Sequence, residues 1–205
     1  MIRNTFKLLT TMSSSKFSSS LPSSLPASDR LIWVDCEMTG LEIDKDKLLE
    51  IAVIVTEGDT LQTVGKTESI IINCDDESLE QMNSWCVKQH GASGLTQACK
   101  DSKISCQEAE RMVMDMLKQC TSKGKCPLAG NSVSQDRKFI DKYMPDLASW
   151  LHYRTVDVST IKELTRRWYP QVYEAAPKKG ASHRALGDIE DSIAELKYYR
   201  EKVFK

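Results

Sequence analysis

Apolar and polar positions along the chain follow first a strand-like and then a mixed pattern. Three apolar runs rich in β-branched residues come first, at 31–34, 48–56 and 68–74, and the short glycine-containing spacings between them predict an antiparallel meander. Beyond it, short apolar runs alternate with segments of helical periodicity. This order predicts an α/β fold with a mixed five-stranded sheet, in which parallel strands follow the three-strand meander and helices cover both faces.

The second half of the chain carries the helix and strand signals of an alternating fold. Ser105 and Glu108 have the spacing of a capping box, which predicts the start of a helix. The runs at 127–131 and 153–158 are predicted as strands, and each is followed by a segment with helical spacing of apolar residues. The last helix is predicted to start near residues 182–183 and to run to the C-terminus.

The first 28 residues differ in composition from the rest. Serine and basic residues are frequent, no acidic residue occurs before Asp29, and there is no secretory apolar core. Residues 1–28 are therefore predicted as a disordered mitochondrial transit segment, directing the domain at 29–205 to the matrix or the intermembrane space. The alternative is a disordered tail without a targeting role. Met12 would provide a second start, giving a cytosolic or nuclear form.

The composition of the chain limits the classes of molecule that it is expected to bind. The 205 residues contain 28 Lys and Arg against 29 Asp and Glu, which argues against a broad basic surface for long nucleic acid and leaves a short nucleic acid or a small anion. The seven cysteines form no C-x-x-C motif and indicate reduced thiols in an intracellular protein. Because no apolar run approaches the roughly 18 residues of a membrane span, a soluble protein with no membrane partner is expected.

Four acidic residues lie where the predicted strands meet loops and helices. Asp35 and Glu37 alternate on one strand, so they emerge on the same face, where two like charges need a cation or a proton between them. Asp136 lies in the first turn of a later predicted helix, and Asp188 lies one turn into the last one. Taken alone, each has an ordinary explanation, such as a strand end or a favourable helix dipole. In open α/β sheets, ligands bind at the carboxyl ends of the strands. The joint placement of the four acidic residues there, with His183 beside the last one, therefore favours a functional site.

Three motifs carry a resemblance to a known family. They are D-x-E-M-T-G-L at 35–41, G-N-S-V-x-x-D at 130–136 and H-R-A-x-x-D at 183–188. In this order they closely resemble the oligoribonuclease family, which belongs to the DEDDh group of 3′-to-5′ exonucleases with an RNase H-like fold. The resemblance runs from about residue 29 to the C-terminus, without a departure at the catalytic positions. It implies an exoribonuclease that degrades RNA of two to about five nucleotides to 5′-mononucleotides.

The resemblance also implies a metal-dependent reaction. Asp35, Glu37, Asp136 and Asp188 would hold two Mg²⁺ or Mn²⁺ ions per active site, and carboxylate oxygens are the hard ligands that such ions prefer. His183 would take the proton from the attacking water, since the unperturbed pKa of histidine, about 6.5, suits that task. Judged without the resemblance, a capping or core role is commoner for an isolated histidine.

A further set of residues is implied to contact the substrate. It includes Met38, Leu41, Trp85 and His90. Leu41 would lie as a wedge between the two terminal bases, and Trp85 would stack on a base face, which is worth about 1–3 kcal/mol. The alternatives are an aromatic side chain of the core for Trp85 and a capping or core histidine for His90.

The same resemblance implies a site for the substrate's 5′ phosphate. Ser132, Arg154 and Ser159 would bind it, with Tyr153 reaching over from the other subunit of a homodimer. A guanidinium with hydroxyl donors suits a phosphate group. The alternatives are a core aromatic role for Tyr153 and a helix N-cap for Ser159. Asp157, on the same predicted strand, has no predicted role.

Three other functions compete with this interpretation. A DEDDh exonuclease that proofreads or repairs DNA would share the acids and the histidine. A catalytically inactive module that binds nucleic acid would share the fold, although every metal ligand is present here. A class of phosphotransferases begins with a strand followed by D-x-D-x-T, which residues 35–39 nearly match, but Glu37 departs from that pattern.

Overall fold

A computed structural model describes residues 27–178 and 184–204 of the chain. The predicted transit segment up to residue 26 and His183 therefore lie outside the described residues. The strands are β1 (Arg30–Met38), β2 (Leu48–Glu57), β3 (Thr63–Lys66), β4 (Ile70–Ile71), β5 (Leu128–Gly130) and β6 (Thr155–Asp157). The helices are α1 (Asp76–Glu80), α2 (Ser84–Ala92), α3 (Leu95–Asp101), α4 (Cys106–Cys120), α5 (Ser134–Tyr143), α6 (Pro145–Trp150), α7 (Val158–Trp168), α8 (Pro170–Glu174) and α9 (Ala185–Lys202).

The centre of the sheet is the antiparallel pair β1 and β2. Their register runs from Arg30 opposite Glu57 to Met38 opposite Leu48, with an irregularity after Glu37. Every residue of β2 is buried, as its nearly continuous apolar sequence requires. The strand order is β3-β2-β1-β5-β6, and β5 and β6 run parallel to β1. The predicted mixed sheet of an antiparallel meander followed by parallel strands is thereby confirmed.

The sheet has six strands among the described residues, not the five that the sequence predicts, because residues 63–66, outside the strand predicted at 68–74, form an additional strand β3 that is separated from β4 by a break. β3 and β4 both pair antiparallel with β2, and the strand predicted at 68–74 is limited to Ile70–Ile71. At the break, the hydroxyl of Thr67 accepts the N–H of Val53 at 3.0 Å. A side chain thus takes the place of one ladder hydrogen bond and interrupts the strand.

Helices cover both faces, as predicted. On one face α4, α5 and α6 enclose a core that contains Ile32 and Val34 of β1. On the other face α7 and α9 pack on Trp33, which follows the strand alternation. The side chain of Ser105 accepts the N–H of Glu108 at 3.1 Å, so the predicted N-cap of α4 is confirmed.

Two features of the helices differ from the sequence prediction. Residues 76–101 form the short helices α1, α2 and α3, which the periodicity does not reveal, and their apolar side chains form a small third core with Leu49. The last helix begins at Ala185, after the predicted start at 182–183. Over the described part of the chain, no helix combines the length and apolarity that crossing a membrane requires.

Candidate active site

Three acidic side chains meet at the carboxyl end of β1. Asp35 and Glu37 are on this strand, and Asp188 is in the first turn of α9. One carboxylate oxygen from each residue lies within 4.8 Å of the other two, and all three residues are partly buried. The strand alternation and the packing of α9 on β1 bring these carboxylates together, although 151 residues separate Glu37 from Asp188 in the sequence.

The electrostatics of this cluster suit a divalent cation. Burial, together with the nearby negative charges of Asp188, Glu50 and Asp136, raises the pKa of Glu37 to about 8, and Arg184 opposes this shift. Three carboxylates at such distances cannot all be ionised comfortably without a cation, and oxygen donors of this kind fit Mg²⁺ or Mn²⁺. The residues present therefore fit the predicted type of metal ion.

Asp136 lies next to the cluster. It is in the first turn of α5 and buried, and its Oδ1 accepts the backbone N–H of Cys36 at 2.9 Å. Burial raises its pKa to about 7, although this hydrogen bond opposes the shift. Its charge also raises the pKa of Glu37, but Asp136 is outside the group of three whose oxygens lie within 4.8 Å. Its role as a fourth ligand stays a prediction.

A cavity of about 340 Å³ opens beside Glu37. The residues that line it are Cys36, Glu37, Met38, Gly40, Leu41, Asn83, Trp85, Cys86 and His90. Leu41 and Trp85 are exposed by 66% and 58%, so a core role for Trp85 is excluded. The structure thus brings these four residues, predicted to contact the substrate, together around one cavity.

His90 connects the wall of this cavity to β1. The side chain is buried, and its Nε2 lies 2.9 Å from the carbonyl oxygen of Met38, so Nε2 is the donor in this hydrogen bond. Its Nδ1 lies 3.9 Å from a carboxylate oxygen of Glu37. His90 therefore fixes α2, and with it Trp85, relative to the acidic cluster.

A tight turn after β1 presents Leu41. The carboxylate of Asp46 accepts the hydroxyl of Thr39 at 2.7 Å and the backbone N–H of Glu42 at 2.8 Å, which closes the turn around Gly40. A Cβ atom at Gly40 would collide with this carboxylate and displace it from the position in which it accepts both hydrogen bonds. The turn places Leu41 at the edge of the cavity with little freedom of its backbone.

The two serines predicted at the phosphate site converge from different parts of the chain. Ser132 follows β5, Ser159 is in the first turn of α7, and their hydroxyl oxygens are 3.1 Å apart. One oxygen of Asp157 accepts the backbone N–H groups of both serines, each at 2.9 Å. The helix N-cap is therefore Asp157, and the N-cap alternative for Ser159 is excluded.

Tyr153 and Arg154 lie before β6. Tyr153 is 76% exposed, so a core role is excluded, and its ring packs against that of His152 with centroids 4.3 Å apart and planes inclined by 31°. The guanidinium carbon of Arg154 lies 5.3 Å from the centre of the same ring. This contact holds the cationic group on the surface that also carries Tyr153.

Three residues around the site were missed by sequence reasoning. Glu50 interrupts the apolar run of β2, and that interruption was the available signal. Arg184 is part of the H-R-A-x-x-D motif, and it forms an ion pair with Glu50 at 3.0 Å. Asp157 gave no signal beyond its position before a predicted helix.

Comparison with known proteins places the chain among nucleases. Residues 32–196 match the exonuclease family RNase_T. The mitochondrial oligoribonuclease of Homo sapiens is 54% identical over 176 residues, which cover 86% of this chain and 74% of that protein. The oligoribonuclease of Marinobacter nauticus is 51% identical over 177 residues, covering 86% of this chain and 97% of that protein.

Solved structures show the same fold at low sequence identity. A zinc-bound complex of Escherichia coli exonuclease I with single-stranded DNA superposes with a TM-score of 0.64 at 16% identity, covering 85% of this chain. This chain spans 41% of the length of that exonuclease I chain. At this identity the likeness concerns the fold alone, and it agrees with the predicted RNase H-like sheet.

Proposed function

This chain belongs to the oligoribonuclease family of 3′-to-5′ exoribonucleases, and from this premise we propose that it degrades RNA of two to about five nucleotides to 5′-mononucleotides. The observation that carries the proposal is the meeting of Asp35, Glu37 and Asp188 within 4.8 Å beside a cavity with exposed Leu41 and Trp85. A metal-binding cluster next to apolar contacts for bases is what hydrolysis of a short oligonucleotide needs.

The metal ligands in this proposal are Asp35, Glu37 and Asp188, with Asp136 completing the set for two ions. The fold tolerates a divalent ion, since the E. coli exonuclease I complex contains zinc. Oxygen donors alone favour Mg²⁺ or Mn²⁺ over softer metals. When bound, such ions supply stabilisation of negative charge on the phosphate and a water molecule of lowered pKa.

The residues of the chain hold the substrate and move protons. Leu41 packs between the two terminal bases and Trp85 stacks on a base face, while His90 holds Trp85 in position. In the reaction, a water oxygen bonds to phosphorus and the bond from phosphorus to O3′ of the preceding nucleotide breaks. His183 takes one proton from the water, and O3′ receives a proton from the solvent as it leaves. The products are a 5′-mononucleotide and an oligonucleotide that is shorter by one residue.

The 5′ end of the substrate is bound at Ser132 and Ser159, with Arg154 and the Tyr153 of a second subunit. Two hydroxyl groups 3.1 Å apart can donate to neighbouring oxygens of one phosphate. Closing the site at that end limits the length of RNA that fits.

The decisive experiment is hydrolysis of a 5′-phosphorylated diribonucleotide by the purified protein with Mg²⁺ or Mn²⁺. We expect release of mononucleotides at a rate that falls with increasing RNA length. Hydrolysis of the matched deoxyribodinucleotide, which lacks the 2′-hydroxyl, should be slower. Absence of mononucleotides while a control nuclease is active would contradict the proposal. Faster hydrolysis of the DNA substrate would instead favour a DNA exonuclease.

The exposed aromatic side chains support a homodimer. Tyr153 is 76% exposed, and Leu164 and Trp168, one turn apart on α7, are exposed by 38% and 65%. Exposed apolar groups of this size commonly mark protein interfaces. In the proposed dimer they lie at the interface, and Tyr153 contacts the substrate bound to the partner.

A mixing experiment tests the exchange of Tyr153 between subunits. Tyr153→Ala and Asp188→Asn variants are each expected to be nearly inactive alone. After exchange of subunits, a mixed dimer has one site with both its own Asp188 and an intact Tyr153 from the partner. With equal amounts, half of the dimers are mixed, so about a quarter of the wild-type activity per subunit should return. Lack of recovery in a mixture whose dimers have exchanged would place Tyr153 in its own subunit's site.

We also propose a mitochondrial form, in which residues 1–28 are the transit segment and 29–205 the exonuclease domain. The basic, serine-rich composition of the segment supports this, as does the mitochondrial name of the human relative. A start at Met12 would leave a cytosolic or nuclear form. Fusing residues 1–28 or 12–28 to a fluorescent protein separates these outcomes, and mitochondrial import is expected only for the longer segment.

A further inference from the structure

A buried ion pair joins β2 to the start of α9. The side chain of Glu50 is fully buried, and the Nε of Arg184 donates to its two oxygens at 3.2 and 3.0 Å. A carboxylate without a partner in such a position is strongly destabilising, so the contact restrains Arg184 even though that side chain reaches the surface.

Arg184 occupies the position from which α9 begins. Its carbonyl oxygen accepts the N–H of Asp188 at 3.1 Å, which is the first hydrogen bond of the helix. Within the described residues, no side chain caps this end of α9. The position of Arg184 therefore determines where the first turn begins, and Asp188 is in that turn.

At the other end of the ion pair, Glu50 is tied to the strand of the acidic cluster. Glu50 lies opposite Glu37 in the register of β1 and β2. The backbone ladder fixes Glu50 relative to Glu37, and the ion pair fixes Arg184 relative to Glu50. Two carboxylates from distant parts of the chain, Glu37 and Asp188, are thus connected by a short and largely buried path.

We propose that Glu50 and Arg184 are positioning residues, which set the placement of Asp188 relative to Glu37 and thereby the affinity of the cluster for a divalent cation. The inference rests on the metal site of the proposed function. Residues that orient metal ligands without touching the metal change its affinity by about 10–100-fold when replaced.

Charge alone gives a different expectation. Removing only Glu50 would take a negative charge from the vicinity of the cation, and removing only Arg184 would take a positive one, so single replacements mix charge with geometry. The double variant Glu50→Gln/Arg184→Gln leaves the net charge unchanged. A change in its metal affinity therefore reports geometry.

The chain offers a matched control at the opposite end of β2. Arg30 and Glu57 form an ion pair of 3.2 Å with side-chain exposures of 13% and 7%. Seven residues of extended strand place Glu57 about 23 Å from Glu50. The variant Arg30→Gln/Glu57→Gln therefore removes another largely buried ion pair of the same strand without touching the acidic cluster.

The test is calorimetric titration of each protein with Mn²⁺ in the absence of RNA. We expect at least tenfold weaker Mn²⁺ binding for Glu50→Gln/Arg184→Gln and unchanged binding for Arg30→Gln/Glu57→Gln. If the first double variant fails to fold, Arg184→Lys decides, because it keeps the charge but loses the Nε contact, and it should still bind Mn²⁺ several-fold more weakly. Wild-type affinity in these variants, or equal weakening in the control, would overturn the inference. Failure of the wild-type protein to bind Mn²⁺ would contradict the metal site itself.

Discussion

Replacing Asp188 with Asn is expected to lower kcat for a 5′-phosphorylated diribonucleotide about 10³-fold, a loss of about 4 kcal/mol in stabilisation of the transition state. Asp188 is the acid that α9 contributes to the cluster with Asp35 and Glu37. The amide is nearly isosteric but carries no charge, so the site loses affinity for the cation while the packing of the helix is preserved. The rate is measured at saturating Mn²⁺ by release of mononucleotide.

Thermal unfolding of the same variant provides a second measurement. In the wild-type protein, Mn²⁺ at 100 times its Kd should add about 2.7 kcal/mol to the free energy of unfolding, because it binds the folded state. Asp188→Asn should lose most of this gain. In chelator, however, it should match or exceed the wild-type stability, since one of three close negative charges is gone.

Glu190 provides the control on the same helix. It is exposed, two residues beyond Asp188, so Glu190→Gln removes one negative charge from α9 outside the cluster. It is expected to retain wild-type kcat and the full stabilisation by Mn²⁺. An Asp188→Asn variant with more than a tenth of the wild-type rate would remove Asp188 from the metal site.

The fold was predictable where the sequence pattern has a single structural solution. Residues 48–57 are mostly apolar and rich in β-branched side chains, with only a few polar positions. Such a run is stable only as a central strand. Strands β3 and β4 were less predictable, because the hydroxyl of Thr67 replaces one backbone hydrogen bond at the break between these two strands. Competition between a side chain and the sheet ladder leaves no trace in hydrophobic periodicity.

The site was predictable where residues belong to a recognisable motif. Asp35, Glu37 and Asp188 each have an ordinary explanation when taken alone, and the three motifs in order, with the family that they resemble, predict them as metal ligands. The structure adds the packing of α9 on β1, which brings Asp188 to the other two. The supporting residues were not predictable, since Glu50 and Asp157 act through contacts with segments far away in the sequence. Asp157, for example, holds the backbone of Ser132, which is 25 residues distant.

Replacing Asp157 with Ala is expected to lower kcat/KM for a 5′-phosphorylated diribonucleotide about 30-fold, while the substrate with a 5′-hydroxyl loses at most threefold. The reason is the left-handed backbone of Ser132, whose φ is 54°. Non-glycine residues adopt this region at a cost, and the hydrogen bond to Asp157 stabilises it. Loss of a hydrogen bond to a charged acceptor costs about 1.5–3 kcal/mol, which corresponds to the expected factor.

Two further variants separate positioning of the serine hydroxyls from general destabilisation. Asp157→Asn keeps an oxygen that can accept both N–H groups and is an equally good N-cap, so it should restore the preference for the 5′ phosphate. Ser105→Ala removes the N-cap of α4, which is a long helix remote from the phosphate site. This variant should lower the free energy of unfolding by about 1 kcal/mol without changing the preference for the 5′ phosphate. If Asp157→Ala reduced hydrolysis of both substrates equally, Asp157 would be a helix cap only. A loss of kcat/KM confined to the phosphorylated substrate would instead mean that the hydroxyls of Ser132 and Ser159 recognise the 5′ phosphate only while the carboxylate of Asp157 holds the backbones of both serines in place.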